Sequence, residues 1–264
     1  MEKIDTFTSI SKLFVKLPKY CSKHPDTNLI KLPDGNTMCT KCQQEKVERK
    51  ENEMVNDFLA DKSKGYLRRY SLVEDSEEYD CTFSNFKATE GTKEAKLWNN
   101  SRQLAGIYLK KPDLKMCTIF YGTPGAGKTH LAMGILNAIN DNAEPPQKCL
   151  FLNTNRLYQK LKDYIGNEQD GWSKKIATQI INDADLVVLD DLGSESAMRS
   201  GSEASNFWQT FLYDITSSQK RIITTTNLTQ DQLLQTYNPK IVSRLRAGSK
   251  GFLFDFAGIE DKRW

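Results

Sequence analysis

The sequence predicts an α/β protein, a mainly parallel sheet with helices on both faces, preceded by a small, partly helical N-terminal domain. Three observations carry this reading. From about residue 95 onward, short apolar runs alternate with helical segments, the pattern of strands buried between layers of helices. A glycine-rich loop stands between the first of those runs and the helix after it. Near the N-terminus, three cysteines and a histidine fall into two closely spaced pairs within turn-rich sequence.

The totals bound the possibilities. A chain of 264 residues suits one large domain or one mid-sized domain plus a small one. With 38% hydrophobic and 27% charged residues, it has the composition of an ordinary soluble protein with a real core. No apolar run approaches the roughly 20 residues of a membrane span. The start, MEKIDTFTSI, lacks the basic-then-apolar build of a signal peptide, so a cytoplasmic protein with no membrane partner is expected. Basic residues nearly balance acidic ones, 37 against 34, which is not the strongly basic balance of a dedicated duplex-DNA binder. Six cysteines in a reducing compartment do not read as a disulfide framework. Cys117 and Cys149 sit in apolar runs and read, with Cys81, as packing residues.

In chain order, Ile4, Phe7, Ile10 and Phe14 have helical spacing, so a short amphipathic helix is predicted over 4–14. Residues 18–42, with Pro18, Pro25, Pro33 and Asp34-Gly35, read as loops and tight turns. Gln43 to Lys62 places Val47, Met54, Val55, Phe58 and Leu59 on one helical stripe. These elements make up an N-terminal domain over 1–65. The polar stretch that follows, with its acidic run Glu74, Asp75, Glu77, Glu78 and Asp80, reads as a linker over 66–94. The α/β domain, 95–264, then runs as strand Cys117–Tyr121, helix Thr129–Asn140, strand Cys149–Leu152, and helices Arg156–Ile165 and Lys174–Ile181. Strand Leu186–Leu189, helix Glu203–Ser217, strand Arg221–Thr226, helices Gln230–Tyr237 and Lys240–Ala247, and strand Gly251–Phe256 complete it. Pro239 and Gly248 mark the start and stop of the last helix.

Gly122-Thr123-Pro124-Gly125-Ala126-Gly127-Lys128-Thr129 matches the phosphate-loop pattern GxxxxGK[ST]. Its glycines let backbone N–H groups turn inward around phosphates, and the helix that follows aims its positive end at them. Lys128 is expected to reach the β- and γ-phosphates of ATP, and the Thr129 hydroxyl to bind Mg²⁺. A second element, Asp185-Leu186-Val187-Val188-Leu189-Asp190-Asp191, is an apolar strand whose acids fall at the carboxyl end of the sheet, where ligands of open α/β folds sit. Asp190 is the expected Mg²⁺ carboxylate. Asp191 is the candidate for orienting or deprotonating the attacking water. A third strand ends at Asn227, which either holds that water or is a turn residue or helix cap. Arg244 lies on a predicted helix, where an arginine is ordinarily solvated or salt-bridged.

Cys21-Ser-Lys-His24 and Cys39-Thr-Lys-Cys42 fit a tetrahedral Zn²⁺ site with three sulfur ligands and one nitrogen. So short and loop-rich a stretch buries little apolar surface, and a structural metal can stand in for a core.

Together these motifs resemble the DnaC/DnaI family of bacterial and phage replicative-helicase loaders, within the AAA+ ATPases. The resemblance runs from about Cys81-Thr82-Phe83-Ser84-Asn85-Phe86 to the C-terminus, and its most distinctive piece is Leu189-Asp190-Asp191-Leu192-Gly193. Thr225-Thr226-Asn227-Leu228 is similar to the family's sensor-1 segment, and Ser243-Arg244-Leu245 to its arginine-finger motif. Gly258-Ile259-Glu260-Asp261-Lys262-Arg263 is similar to a terminal G-x-D-x-R segment with one extra residue, which implies a nucleotide-sensing role for Arg263. The resemblance implies a P-loop AAA+ ATPase domain whose zinc-bearing N-terminal domain, of the DnaI type, contacts a hexameric replicative helicase. It further implies self-association, with Arg244 acting on ATP held by a neighbour. It also implies single-stranded DNA binding around Asn153–Trp172, where Tyr158, Lys160, Lys162, Tyr164 and Lys174 read equally as an amphipathic helix with a solvated basic face. Asp191 is one methylene shorter than the glutamate usual in vigorous AAA+ ATPases, so slow turnover, dependent on assembly or a partner, is expected. Two rival readings remain from the sequence: a transposase-helper ATPase of the IstB type, and a nucleotide-dependent binding module that hardly hydrolyses ATP.

Overall fold

A computed structural model describes residues 15–166, 172–197, 204–249 and 252–262. The helix expected at 4–14 and Arg263 lie outside the described residues. The chain divides into two compact units, with the boundary between Leu59 and Ala60.

The first unit holds a three-stranded antiparallel sheet, β1 (Val15–Tyr20), β2 (Asn28–Lys31) and β3 (Thr37–Met38), in the order β1-β2-β3. Helix α1 (Thr40–Lys64) begins there and runs past the boundary. The sequence predicts only loops over 18–42, and the sheet corrects this. Five of the six β1 residues are exposed, so no apolar/polar alternation marks the strand, and the period-2 signal that identifies half-buried strands has nothing to act on. Asp34 accepts from the backbone N–H of Asn36 at 2.9 Å, which fixes the β2–β3 turn at the expected Asp34-Gly35.

The second unit is an α/β sandwich on a five-stranded sheet, parallel throughout, in the order β5-β6-β7-β4-β8. Its strands are β4 (Met116–Tyr121), β5 (Cys149–Asn153), β6 (Leu186–Asp190), β7 (Arg221–Thr226) and β8 (Leu253–Asp255). Side chains alternate across each strand, and the core divides accordingly into two clusters. Cys149, Phe151, Leu186, Val188, Ile223 and Phe120 face α3 (Lys93–Lys110) and α4 (Lys128–Asn142). Leu150, Leu152, Val187, Leu189, Ile222 and Ile119 face α5 (Thr154–Gly166), α6 (Lys174–Asp183), α8 (Asn206–Ser218), α9 (Gln230–Thr236) and α10 (Pro239–Leu245). A one-turn helix, α7 (Ser194–Ala197), follows β6. Both faces are covered, as the apolar runs imply. Ser173, Ser205 and Asn238 cap their helices, and Thr229 with Gln232 forms a full capping box at α9.

The segment 66–94, read as a linker, packs within this second unit. Tyr66 and Leu67, on α2 (Tyr66–Tyr70), are buried in the two core clusters. Leu72 adds a short parallel bridge to the outer edge of β5, donating to Phe151 O and accepting from Asn153 N, each at 2.8 Å. The side chain of Asn137 on α4 donates to the carbonyls of Tyr79 and Cys81 at 2.9 and 2.8 Å. Acidic side chains mask the pattern. Glu74, Asp75, Glu77 and Asp80 are exposed, while Glu78 and the aromatics and leucines interleaved with them are partly or fully buried, and an unperiodic mixture of that kind reads as linker.

Candidate functional site

The site lies at the carboxyl ends of β4, β6 and β7. Because β7 is inserted between β4 and β6, three chain segments far apart in sequence meet in a row. The phosphate loop follows β4, Asp190 and Asp191 end β6, and Asn227 ends β7. Such strand ends, beside the point where strand order reverses, are where open α/β sheets bind ligands.

Gly122 and Gly127 show why the loop needs its glycines. Both have positive φ, 127° and 89°. A Cβ on Gly122 would lie 2.5 Å from the Ala257 backbone nitrogen, and one on Gly127 would lie 2.6 Å from the Phe86 ring. Thr123 and Pro124 continue the turn, Gly125 has φ 70°, and Ala126 is fully buried beneath it. Lys128 opens α4, and its ammonium donates to Gly122 O at 2.9 Å, Thr123 O at 2.7 Å and Asn227 Oδ1 at 2.8 Å. Asn227 Nδ2 donates in turn to Asp191 Oδ1 at 2.9 Å. A continuous chain of polar contacts therefore runs Lys128–Asn227–Asp191. The Thr129 hydroxyl donates to Asp190 Oδ1 at 2.9 Å, as does Thr225 at 2.7 Å.

Asp190 is 3% exposed, and burial pushes its carboxyl up to about 6, against the pull of its two threonine donors and with the help of neighbouring Asp191. A buried carboxylate whose Oδ1 accepts from two hydroxyls is a donor set that suits a hard divalent cation. Nearby Glu78 is pushed up to about 7, first by burial and then by the charge of Asp190. The cavity over the loop is about 760 Å³ and is also lined by Asn85, Phe86, Lys87, His130 and Lys262. There Phe86 meets the His130 ring edge-on at 5.2 Å, and Lys262 lies 4.3 Å over the other ring system of the pair, that of Phe86. His130 Nε2 lies 2.8 Å from Thr82 O, and burial lowers its pKa. The terminal segment closes over the loop, since Gly258 N donates to Thr123 Oγ1 at 3.2 Å and Lys262 N donates to Gly125 O at 3.0 Å.

All eight loop residues, Asp190, Asp191 and Asn227 are thus brought together. Arg244 is not among the residues lining this cavity. Its guanidinium stacks 4.2 Å from the Tyr213 ring centroid and donates to Tyr213 Oη and Lys240 O, each at 3.0 Å. Of the aromatic and basic groups around α5, Tyr158 corrects the expectation of a stacking face. It is 5% exposed and packs edge-on against Trp208 at 5.6 Å. Lys174 is paired with Asp214 at 2.5 Å. Sequence reasoning missed Thr225, Phe86, His130, Lys262 and the buried Glu195. Thr225, Phe86 and Lys262 carried a signal, being within the segments that mark the resemblance.

In the first unit, Cys21, His24, Cys39 and Cys42 have ligand atoms all within 4.8 Å of one another. His24 Nδ1 lies 3.9, 3.6 and 3.4 Å from the sulfurs of Cys21, Cys39 and Cys42, and Cys21 Sγ lies 3.6 Å from Cys42 Sγ. Bonds of about 2.3 Å to sulfur and 2.0–2.1 Å to nitrogen give tetrahedral edges of about 3.8 and 3.5 Å. The four side chains therefore fit Zn²⁺. The backbone hydrogen bond from His24 is the main cause holding the Cys21 thiol down at about 6, and the facing Cys21 raises Cys42 to about 11. His24 Nε2 lies 3.0 Å from a carboxylate oxygen of Glu45, itself bonded to Lys23 at 2.6 Å. A carboxylate can only accept, so Nε2 carries the proton and Nδ1 is left to face the sulfurs.

Comparison with known proteins agrees with this geometry. The family model for the bacterial DnaA ATPase domain matches residues 78–250. The replicative helicase loader DnaC of Escherichia coli K12 is 24% identical over 174 residues, 64% of each protein, and the DnaC of Shigella flexneri matches equally. The chain thus spans about 64% of the length of these curated relatives. Among solved structures, that of the DnaC helicase loader superposes with a TM-score of 0.52 at 19% identity, covering 70% of this chain and 100% of that one. The DnaI structure gives 0.51 at 20%, covering 74% and 96%. The AMPPCP-bound DnaA of Aquifex aeolicus gives 0.50 at 18%, covering 69% and 50%. The fold is the AAA+ fold of these proteins. The chain belongs to the bacterial DnaA ATPase-domain family, whose domains use a nucleotide with Mg²⁺.

Proposed function

We propose that this family member is an ATP-dependent loader of the replicative DNA helicase, acting in the cytoplasm at replication initiation. The N-terminal unit would grip the hexameric helicase, while the second unit binds ATP and single-stranded DNA and associates with copies of itself. The observation that supports this best is the pairing, in one chain, of an AAA+ fold shared with DnaC and DnaI with a four-ligand cluster suited to zinc. That cluster also argues against the transposase-helper reading.

ATP would enter the cavity above the phosphate loop with its phosphates on the backbone N–H groups of 122–129. Lys128 would then exchange its bonds to Gly122 O and Thr123 O for β- and γ-phosphate oxygens. Thr129 and Asp190 would hold Mg²⁺, which supplies charge neutralisation across the phosphates. Asp191 would orient and deprotonate the attacking water, with Asn227 fixing its carboxylate through the 2.9 Å contact. An aspartate reaches less far than a glutamate, which makes turnover slow. Arg244, away from its own cavity, would reach the γ-phosphate of a neighbour. An arginine supplied in trans contributes about 10³–10⁵ in rate, so hydrolysis would follow assembly. ATP-bound and post-hydrolysis states then differ in contacts at the subunit interface, the differential free energy a switch needs. In the N-terminal unit, Cys21, His24, Cys39 and Cys42 would hold Zn²⁺, which supplies a structural cross-link.

Native mass spectrometry with the host replicative helicase, ATP and zinc tests the loader role. A complex that forms in at least one nucleotide state is expected. No complex in any state would leave the ATPase reading in place and end the loader reading. Tighter binding to double- than to single-stranded DNA would favour a transposase helper, and hydrolysis unmoved by helicase or DNA would favour a simple binding module.

A further inference from the structure

We propose that Glu195 is a positioning residue for hydrolysis, its carboxylate clamping the turn that aims Asp191. This rests on the reading of Asp191 above. Asp191 is the single non-glycine residue with positive φ among those described, at 53°. A side chain in the left-handed region is strained and persists only where its surroundings over-determine it. From the β7 side, Thr225 Oγ1 accepts from Asp191 N at 2.8 Å and Thr225 O accepts from Leu192 N at 2.9 Å. From the β5 side the restraint comes through Glu195. Its Oε2 accepts from Gly193 N at 3.1 Å and lies 3.4 Å from Thr154 Oγ1, which in turn lies 3.0 Å from Asp191 O.

The other oxygen anchors the clamp. Glu195 Oε1 accepts from Trp208 Nε1 at 2.9 Å, from Ser196 Oγ at 3.1 Å and from the Tyr237 hydroxyl. Glu195 is 5% exposed, Trp208 is fully buried and Tyr237 is 2% exposed. A carboxylate this deep, accepting from four donors with no basic side chain among them, is costly to place unless it is well hydrogen-bonded; the Thr154 hydroxyl, 3.4 Å away, gives its one proton to the nearer Asp191 O. Two of these anchors, Trp208 and Tyr237, lie on α8 and just before Asn238, which caps the helix that carries Arg244. The turn bearing the water-orienting Asp191 is thereby fastened to the elements that bear Arg244.

The clamp makes a chemical demand that separates it from simple packing. Each oxygen meets one group that can only donate, the Trp208 indole N–H on one side and the Gly193 backbone N–H on the other. The three hydroxyls can rotate to accept. Glutamine offers one oxygen, so in Glu195→Gln a donor-only N–H must face the amide NH₂, whichever way the amide lies.

The test measures single-site ATP affinity and turnover under assembling conditions for Glu195→Gln, Thr154→Val, Tyr237→Phe and Asp191→Asn. Displacement of a reacting group by about 1 Å costs about 10²-fold. Glu195→Gln is expected to lower kcat by about 10- to 100-fold with ATP affinity within about threefold of wild type. Thr154→Val, which cuts the link to Asp191 O, is expected to lose about 10-fold with the same split, and it decides the matter should Glu195→Gln not fold. Tyr237→Phe removes one donor from Oε1 and leaves both contacts to the turn, so its loss of kcat should be well short of that in Glu195→Gln. Wild-type kcat in Thr154→Val and Glu195→Gln overturns the clamp. So does a loss of ATP affinity in step with kcat, or a fall in Tyr237→Phe as deep as that in Glu195→Gln. Asp191→Asn separates the two layers. If it hydrolyses like wild type, the role of Asp191 fails. If it is inactive while Glu195→Gln and Thr154→Val are not, the clamp alone fails.

Discussion

Replacing Asp190 with asparagine should stabilise the nucleotide-free protein while weakening its response to Mg²⁺ and nucleotide. The side chain is 3% exposed, and burial raises its pKa from 3.8 to about 6. An acid whose pKa is higher in the folded state binds more protons there than in the unfolded chain between those two values. Stability is therefore fullest below pH 3.8 and falls as pH rises through 6. A shift of about two units corresponds to about 3 kcal/mol at pH 7.5, where the penalty is complete, and about 1 kcal/mol at pH 4.5, where it has begun. Asparagine keeps an oxygen to accept from Thr129 and Thr225, which donate to Asp190 Oδ1 at 2.9 and 2.7 Å, and it carries no charge to bury. None of the four tryptophans in the sequence (Trp98, Trp172, Trp208 and Trp264) falls within the first unit, Met1–Leu59, so denaturant titration followed by tryptophan fluorescence does not report that unit. The expected gain of Asp190→Asn over wild type is about 3 kcal/mol at pH 7.5, shrinking by about 2 kcal/mol at pH 4.5. Added Mg²⁺ and ATP should stabilise wild type strongly and the variant weakly. A variant less stable than wild type at pH 7.5, or a gain that does not shrink on acidification, would refute the reasoning.

Other outcomes follow from the same geometry. Asn227→Ala breaks the Lys128–Asn227–Asp191 chain, and steady-state assays should show turnover down by about 10- to 100-fold with ATP affinity changed much less. Arg244→Ala should leave ATP binding by the isolated chain unchanged and remove about 10³ of the assembled rate; an equal loss at concentrations too low for assembly would contradict a role in trans. Removing zinc with a chelator should unfold the first unit, seen as lost amide dispersion over 15–50, while the tryptophan signal of the second unit persists. Glu45→Gln should weaken zinc binding by about 10- to 100-fold in chelator competition, and nitrogen-detected spectra of wild type should show the His24 proton on Nε2.

The chemistry of the site was legible where it is written in local sequence. The phosphate loop encodes its own backbone, because the positive φ at Gly122, Gly125 and Gly127 demands glycine and leaves a fixed spacing to Lys128 and Thr129. Asp190, Asp191 and Asn227 were legible because apolar strands end at them and the sheet gathers strand ends. Glu195 was not, since its partners Trp208 and Tyr237 are 13 and 42 residues away and a glutamate after a turn looks solvated. Phe86, His130 and Lys262 converge only through the packing of 66–94 and the terminal segment against the loop. That packing was hidden by the acidic run from Glu74 to Asp80. The β1–β3 sheet left no trace because it buries almost nothing. Within that unit the Asp34-Gly35 turn, the helical stripe from Gln43 and the cysteine–histidine spacing were legible, because each is written in local sequence.

The most direct measurement is the affinity of the zinc-loaded protein for Mg²⁺ and ATP by equilibrium titration, wild type against Lys128→Ala. The ammonium that now bonds Gly122 O, Thr123 O and Asn227 is the charge expected to meet the β- and γ-phosphates. Saturable one-to-one binding to wild type, weakened by about 100-fold or more in the variant, is the expected result. Equal affinity in the two proteins would contradict the account at its centre.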